Sequence, residues 1–255
     1  MEITMCLLLM STIALAFNVE LTGSGAEQHW EVSEVPYYIN LEGSNKLDPK
    51  FVLEAITLSS DVWMTSDFTF VYEGETKERQ AKIGEDNPSV IYFEDNWDQS
   101  PGVLALTYRW SSNTSGKIIH FDLAINNTHH EWSTEGEEDK HDLQNALTHE
   151  FGHALGLGHS ETPEATMAPT APLGEIQKRD LHEDDIKGVV YLYSDGDQEA
   201  YQQVKSRGFF SGDGIDLENT QILKNTEGCN HTNKKSSMHL LIFFSMICIR
   251  MRSLL

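Results

Sequence analysis

With 255 residues, 40 acidic against 18 basic side chains and a formal charge of −22, the chain has room for one well-filled domain plus tails. It lacks the basic surface that phosphate binding requires, so nucleic acid is excluded as a partner. Three cysteines, Cys6, Cys229 and Cys248, are too few and too scattered for a disulfide framework.

The chain opens on an apolar run over 5–17 that is too short to span a bilayer comfortably and is followed by small residues. It reads as a secretory leader, 1–26, with Ala14-Leu15-Ala16 and Gly25-Ala26 as acceptable cleavage points, although Glu2 stands where a basic residue is usual. A strand is expected over 35–41. Asp48-Pro49 then opens a helix, Asp as N-cap and Pro in the first turn, with Phe51, Val52, Ala55, Ile56, Val62 and Trp63 on its apolar face. Aromatic-rich alternation predicts strands over 67–72 and 89–93, and two more are read over 102–108 and 117–126. In the last of these, His120, Asp122, Ala124 and Asn126 share one face and Ile119, Phe121, Leu123 and Ile125 the other. His129, His130 and His141 read as solvated loop residues.

A helix over 139–154 carries the most informative stretch, His149-Glu150-Phe151-Gly152-His153-Ala154-Leu155-Gly156-Leu157-Gly158-His159. Positions i and i+4 lie one turn apart on one helix face, so His149 and His153 can address a single ion. Gly156 can adopt the left-handed conformation that ends the helix, which lets His159 arrive as a third ligand. Three nitrogen ligands with an open fourth position describe a catalytic zinc site rather than a structural one. Glu150, beside the ligands but not one of them, is placed to act as general base in peptide hydrolysis by a metal-activated water.

These residues, with Ser160 directly after the third histidine and Met167 in Ala165-Thr166-Met167-Ala168-Pro169, resemble the matrixins, a matrix-metalloprotease-like family of the metzincin zinc endopeptidases. The similarity covers about 30–194. It implies an α/β (α+β) metzincin fold: a twisted, mixed five-stranded sheet, two long helices and a small C-terminal subdomain after Gly156. It also implies one catalytic Zn2+ on His149, His153 and His159, Glu150 as catalytic base, Met167 as the Met-turn residue, and a protein or peptide substrate bound by a monomer. The segment 102–108 would be the edge strand that pairs with extended substrate. The match departs in places. No cysteine stands between the leader and Trp30, so a cysteine-switch propeptide is not expected. Leu106 replaces a structural-zinc histidine. His120-Phe121-Asp122 matches a segment that supplies zinc and calcium ligands, but Ile125 replaces the acidic residue that follows. Loss of the second zinc is therefore favoured, and Ca2+ stays open with Asp122 as its candidate ligand. Pro169-Thr170-Ala171 lacks the tyrosine that usually walls the specificity pocket.

A closing helix is expected over 181–193, with Ile186, Val189, Val190 and Tyr193 at helical spacing and Glu183, Asp184 and Asp185 in its first turn. The domain plan is thus a leader at 1–26, a catalytic domain at 27–194, a polar stalk without periodicity at 195–237 and a hydrophobic tail at 238–255. The tail suggests either a membrane tether or a frayed end. The reading from another class is a secreted, non-catalytic module that keeps the fold and binds zinc or protein. The intact Glu150 argues against it, because holding a metal needs no base at that position.

Overall fold

The computed structural model describes residues 17–44, 46–79, 88–207 and the backbone of 242–246. Its centre is a twisted mixed sheet of strands β1 (Glu34–Asn40), β2 (Thr69–Glu75), β3 (Ser89–Glu94), β4 (Ala105–Ser112) and β5 (Ile118–Asn126). Their order is β2-β1-β3-β5-β4; β1, β2, β3 and β5 are parallel, and β4 runs antiparallel to β5. A two-residue pair, β6 (Trp132–Ser133) and β7 (His141–Asp142), brackets the loop that leads into the second helix. The expected five-stranded sheet gains a sixth member, β8 (Ile242–Met246), antiparallel to β4 at Tyr108–Ser112. Among the described residues no helix is long and apolar enough to cross a membrane. The rest of the expected hydrophobic tail, and 208–237 of the expected stalk, lie outside the described residues.

Helix α1 (Pro49–Asp61) starts as its sequence dictates, with the Asp48 carboxylate accepting from the Lys50 amide and Pro49 in the first turn. Helix α2 (Leu143–Leu155) begins later than expected, because Asp142 leaves the helix to cap it: its carboxylate accepts from the Asn145 amide. Both helices lie on one face of the sheet, where Val52, Ile56, Trp63, Leu147 and Phe151 interlock with Tyr37, Phe70, Phe121, Leu123 and Ile125 in the main core. The opposite face holds a smaller cluster of Val90, Tyr92, Trp97, Val103, Leu106 and Ala124. Strand β5 is therefore buried on both sides, and only Ile119 faces water, at 37% exposure. Alternation along β4 sends Ala105, Thr107 and Arg109 toward the helix face and Leu106 to the other.

Helix α3 (Glu183–Tyr193) closes the domain where expected, starting two residues late because His182 and Asp185 form a reciprocal capping box. Beyond it the expectation of structureless stalk fails over 198–207. Helix α4 (Gln198–Arg207) buries Ala200 and Val204 against the main core. The packed region also reaches further toward the N-terminus than expected. Residues 17–26, expected to belong to the leader, pair with the domain: Val19 bridges Leu157, the Glu20 amide donates to Gly156, and the Gly158 amide donates to Asn18.

Candidate metal centre

Helix α2 is buried along nearly its whole length, so its histidines are held by packing as well as by their own hydrogen bonds. His149 Nδ1 donates to the Thr166 carbonyl at 2.7 Å, and His153 Nδ1 donates to the Leu157 carbonyl at 2.9 Å. With the protons committed to Nδ1, each imidazole presents an Nε2 lone pair, and these two atoms lie 3.0 Å apart. Gly156 ends the helix with φ 113°, and a Cβ there would strike the Gln28 carbonyl. Glycine is thus needed both for the left-handed turn and for the close approach of the N-terminal segment. The turn brings His159 round until its ring centroid is 4.9 Å from His153 and 5.3 Å from His149.

One ligand atom from each of His149, His153 and His159 falls within 4.8 Å of the others, the sole such group of three His, Cys, Asp or Glu among the described residues. His159 Nε2 is buried without a hydrogen-bond partner. Burial, then the neighbouring charges, holds His149 and His153 well below the usual imidazole range; burial and Lys178 lower His159. All three are therefore neutral, the form that donates to a metal. An orphaned nitrogen, two inward-facing nitrogens and three neutral rings fit a zinc ion.

Glu150 sits on the same helix at 1% exposure. Its Oε2 accepts from the Thr107 hydroxyl at 2.7 Å, while Oε1 is buried and unpartnered. Burial pushes this carboxyl up to about 7, and the Thr107 hydroxyl pulls the other way. The result is a carboxylate tied at one oxygen, with the other free of any partner.

The site rests on two supports. On one side Met167 packs beneath α2: a Cβ on Gly152 would collide with the Met167 sulfur and the Trp63 ring, and Trp63 Nε1 donates to the Thr148 carbonyl at 2.9 Å. The methionine turn is held by Asp185, whose carboxylate accepts from the amides of Thr166 (2.7 Å), Met167 (3.0 Å) and His182 (3.0 Å). Burial pushes Asp185 up, and these three amides oppose the shift. Asp184 accepts from the Ser160 hydroxyl at 2.6 Å, and the Ser160 amide donates to the Met167 carbonyl. The aspartates of α3 therefore do more than complement the helix dipole: they lace the third-histidine loop to the methionine turn. On the other side Arg109, almost fully buried, donates to the His153 carbonyl and, at 2.9 Å, to Gln28 Oε1. The Asn18 amide donates to the His159 carbonyl at 2.8 Å.

Thr107, Arg109 and Lys178 went unread in the sequence. Thr107 and Arg109 left a faint signal as polar residues in an apolar strand; Lys178 left none. Met167 places its sulfur against Gly152 of α2. His120 and Asp122 are elsewhere, on the far face of the sheet, bonded to each other at 3.2 Å, with Asp122 Oδ1 also accepting from the Val90 amide. Asp122 belongs to no converging group of three His, Cys, Asp or Glu side chains among the described residues. His129 is exposed as expected, but His141 is 4% exposed, stacked edge-on against half-buried His130 at 4.9 Å; the expectation of a solvated His141 fails because β7 pairs with β6 and covers it.

A metal-competent triad on a helix and the turn after it, on this mixed sheet, is the arrangement of a zinc metallopeptidase fold. Residues 29–194 match the family model of the matrixins, so the chain belongs to the matrixin family, a family of zinc metalloendopeptidases. Metalloendoproteinase 2-MMP of Arabidopsis thaliana is 39% identical over 112 residues, 40% of this chain and 28% of that protein. Human matrilysin is 54% identical over 48 residues (19% and 18%), and human neutrophil collagenase 28% identical over 172 (64% and 33%). The chain thus spans about a third or less of the length of the curated relatives it matches.

Proposed function

We propose that this chain is a secreted, zinc-dependent endopeptidase that cleaves peptide bonds in proteins, with zinc on His149, His153 and His159 and Glu150 as its base. The observation that carries the reading is the pairing of three converging neutral imidazoles with a buried carboxylate whose Oε1 has no partner. When bound, zinc supplies Lewis-acid polarisation of the scissile carbonyl and of the attacking water. Glu150 Oε1 takes the proton of that water and passes it to the leaving amine nitrogen. Thr107 keeps Oε2 fixed through both transfers. Burial keeps the carboxyl basic enough to accept the proton near neutral pH. The 5–17 apolar run supports a leader, and the packing of 17–26 onto the site loop favours Ala14-Leu15-Ala16 over Gly25-Ala26 as its end.

The test is casein cleavage by the chain with one equivalent of zinc, with a chelator, and as Glu150→Ala. Cleavage lost in both treated samples assigns a metal-dependent hydrolase and its base. One bound zinc with no cleavage of casein or of a diverse peptide library overturns the enzyme reading in favour of a zinc-binding module.

A further inference from the structure

Lys178 stands in a short 3-10 turn, Gln177–Arg179, between the methionine turn and α3, and is only 2% exposed. Its amide donates to Asn145 Oδ1 at 2.7 Å, and Asn145 lies one helical turn before His149 on the same face of α2. From there the side chain crosses to the segment after Met167, where its ammonium donates to the carbonyls of Ala168 and, at 2.8 Å, Thr170. Two rungs therefore join α2 to this segment. One is His149 with Thr166, at the metal; the other is Asn145 with Lys178 and Thr170, one turn away. Lys178 thus stands one helical turn from His149, along the segment that follows Met167.

This cation has no ion-pair partner among the described residues. Glu175, Asp185 and Glu150 act on it only through space, and Glu175 spends its own carboxylate on Asn145 at 3.1 Å. A buried ammonium without a carboxylate is costly to keep. Two of its three N–H groups are used, both on backbone carbonyls, and the strip that covers it, Pro169 and Thr170, is exposed. Its charge also reaches the ligand set, because it acts on His149, His153 and His159.

We infer that Lys178 is a specificity-determining residue, and that its ammonium receives an acidic side chain of the substrate residue beside the scissile bond. The inference rests on the endopeptidase reading above. The carboxylate takes the remaining N–H, or replaces the Thr170 carbonyl, which turns to water. The −22 charge of the chain does not forbid this, since at physiological ionic strength charges beyond about 8 Å are screened.

The experiment uses the full chain and matched peptides that differ only in the residue beside the cleaved bond: Asp, Glu, Asn, Gln or Leu. Because one charge-assisted hydrogen bond is at stake, kcat/KM for Asp or Glu should exceed that for the amide or leucine peptides by roughly ten- to a hundredfold. Lys178→Arg should keep the preference and Lys178→Met should reverse it toward leucine. Equal rates for carboxylate and amide peptides, or an unchanged ratio in Lys178→Met, overturn the inference. Peptide binding to the Glu150→Ala chain, followed by fluorescence anisotropy, separates the two readings. Tighter binding of the acidic peptides that disappears in Glu150→Ala/Lys178→Met supports the Lys178 assignment even without turnover. Equal affinities refute it even in an active protease. Should Lys178→Met not fold, the wild-type carboxylate-to-amide ratio and Lys178→Arg still decide.

Discussion

Two groups of histidines in this domain are held in different ways. On the helix side, His149, His153 and His159 turn their free nitrogens toward one point. Elsewhere, His120, on the far face of the sheet, is spent on Asp122, while the rings of His130 and His141 meet edge to face. Histidine number and burial are similar in the two regions; what differs is the disposal of the Nδ1 protons and the convergence of the backbone. In the triad, carbonyls of Thr166 and Leu157 fix two rings, and a left-handed glycine brings in the third. A metal-competent triad is thus made by the groups that hold the imidazoles, not by their abundance.

Breaking the triad should have the largest effect. Glu150→Gln is expected to lower kcat/KM by about a hundred- to ten-thousandfold while one zinc remains bound, measured by peptide cleavage and metal analysis. His153→Ala should instead lose the zinc itself. Next comes the strap beneath it. Asp185→Ala strands three amides, two of them buried, and should cost about 3 kcal/mol in urea unfolding; a loss under 1 kcal/mol would mean that α3 does not hold the methionine turn. Thr107→Val should reduce kcat about tenfold at unchanged KM, because it frees the carboxylate without touching the ligands. A KM effect alone would assign Thr107 to substrate binding.

The second group of histidines gives the smaller effects. His141 is held down at about 4, first by burial and then by His130. The folded chain therefore binds fewer protons than the unfolded chain between about 4 and 6.5. This contribution to stability is intact above pH 6.5, declines as pH falls through that window and is gone below about 4. The change is on the order of 1–2 kcal/mol after discounting for partial solvation. His141→Leu should flatten that part of a stability-versus-pH curve. His120→Gln should leave the zinc stoichiometry unchanged; a lost equivalent would show that the far side also binds metal.

What could be read from the sequence was whatever local spacing determines. The i, i+4 histidines, the terminating Gly156, the Asp48-Pro49 start of α1 and the period-2 strands all depend on neighbours in the chain. Helix α4 escaped because QEAYQQVKSR offers only Ala200, Val204 and half-buried Tyr201 to the core, and docking on the core supplies what its own pattern lacks. The Tyr201 hydroxyl, donating to Glu183, adds to that docking. His141 was misjudged because its cover comes from pairing with β6, not from its own polar surroundings. Thr107, Arg109 and Lys178 are ordinary residue types whose roles exist only once β4, α2 and the methionine turn are brought together.

The strap at 17–20 sets an order of assembly. His149 and His153 belong to one helix, so two-thirds of the ligand set can align as soon as α2 forms. The loop with His159 is different, because Asn18 grips it across 141 positions of sequence and Trp30 meets Tyr193 across 163. Contacts of that span carry the largest loop-closure entropy and form late in folding. The third imidazole of the triad thus settles only when both ends of the domain have met, which makes completion of the triad a closing event of folding rather than its nucleus.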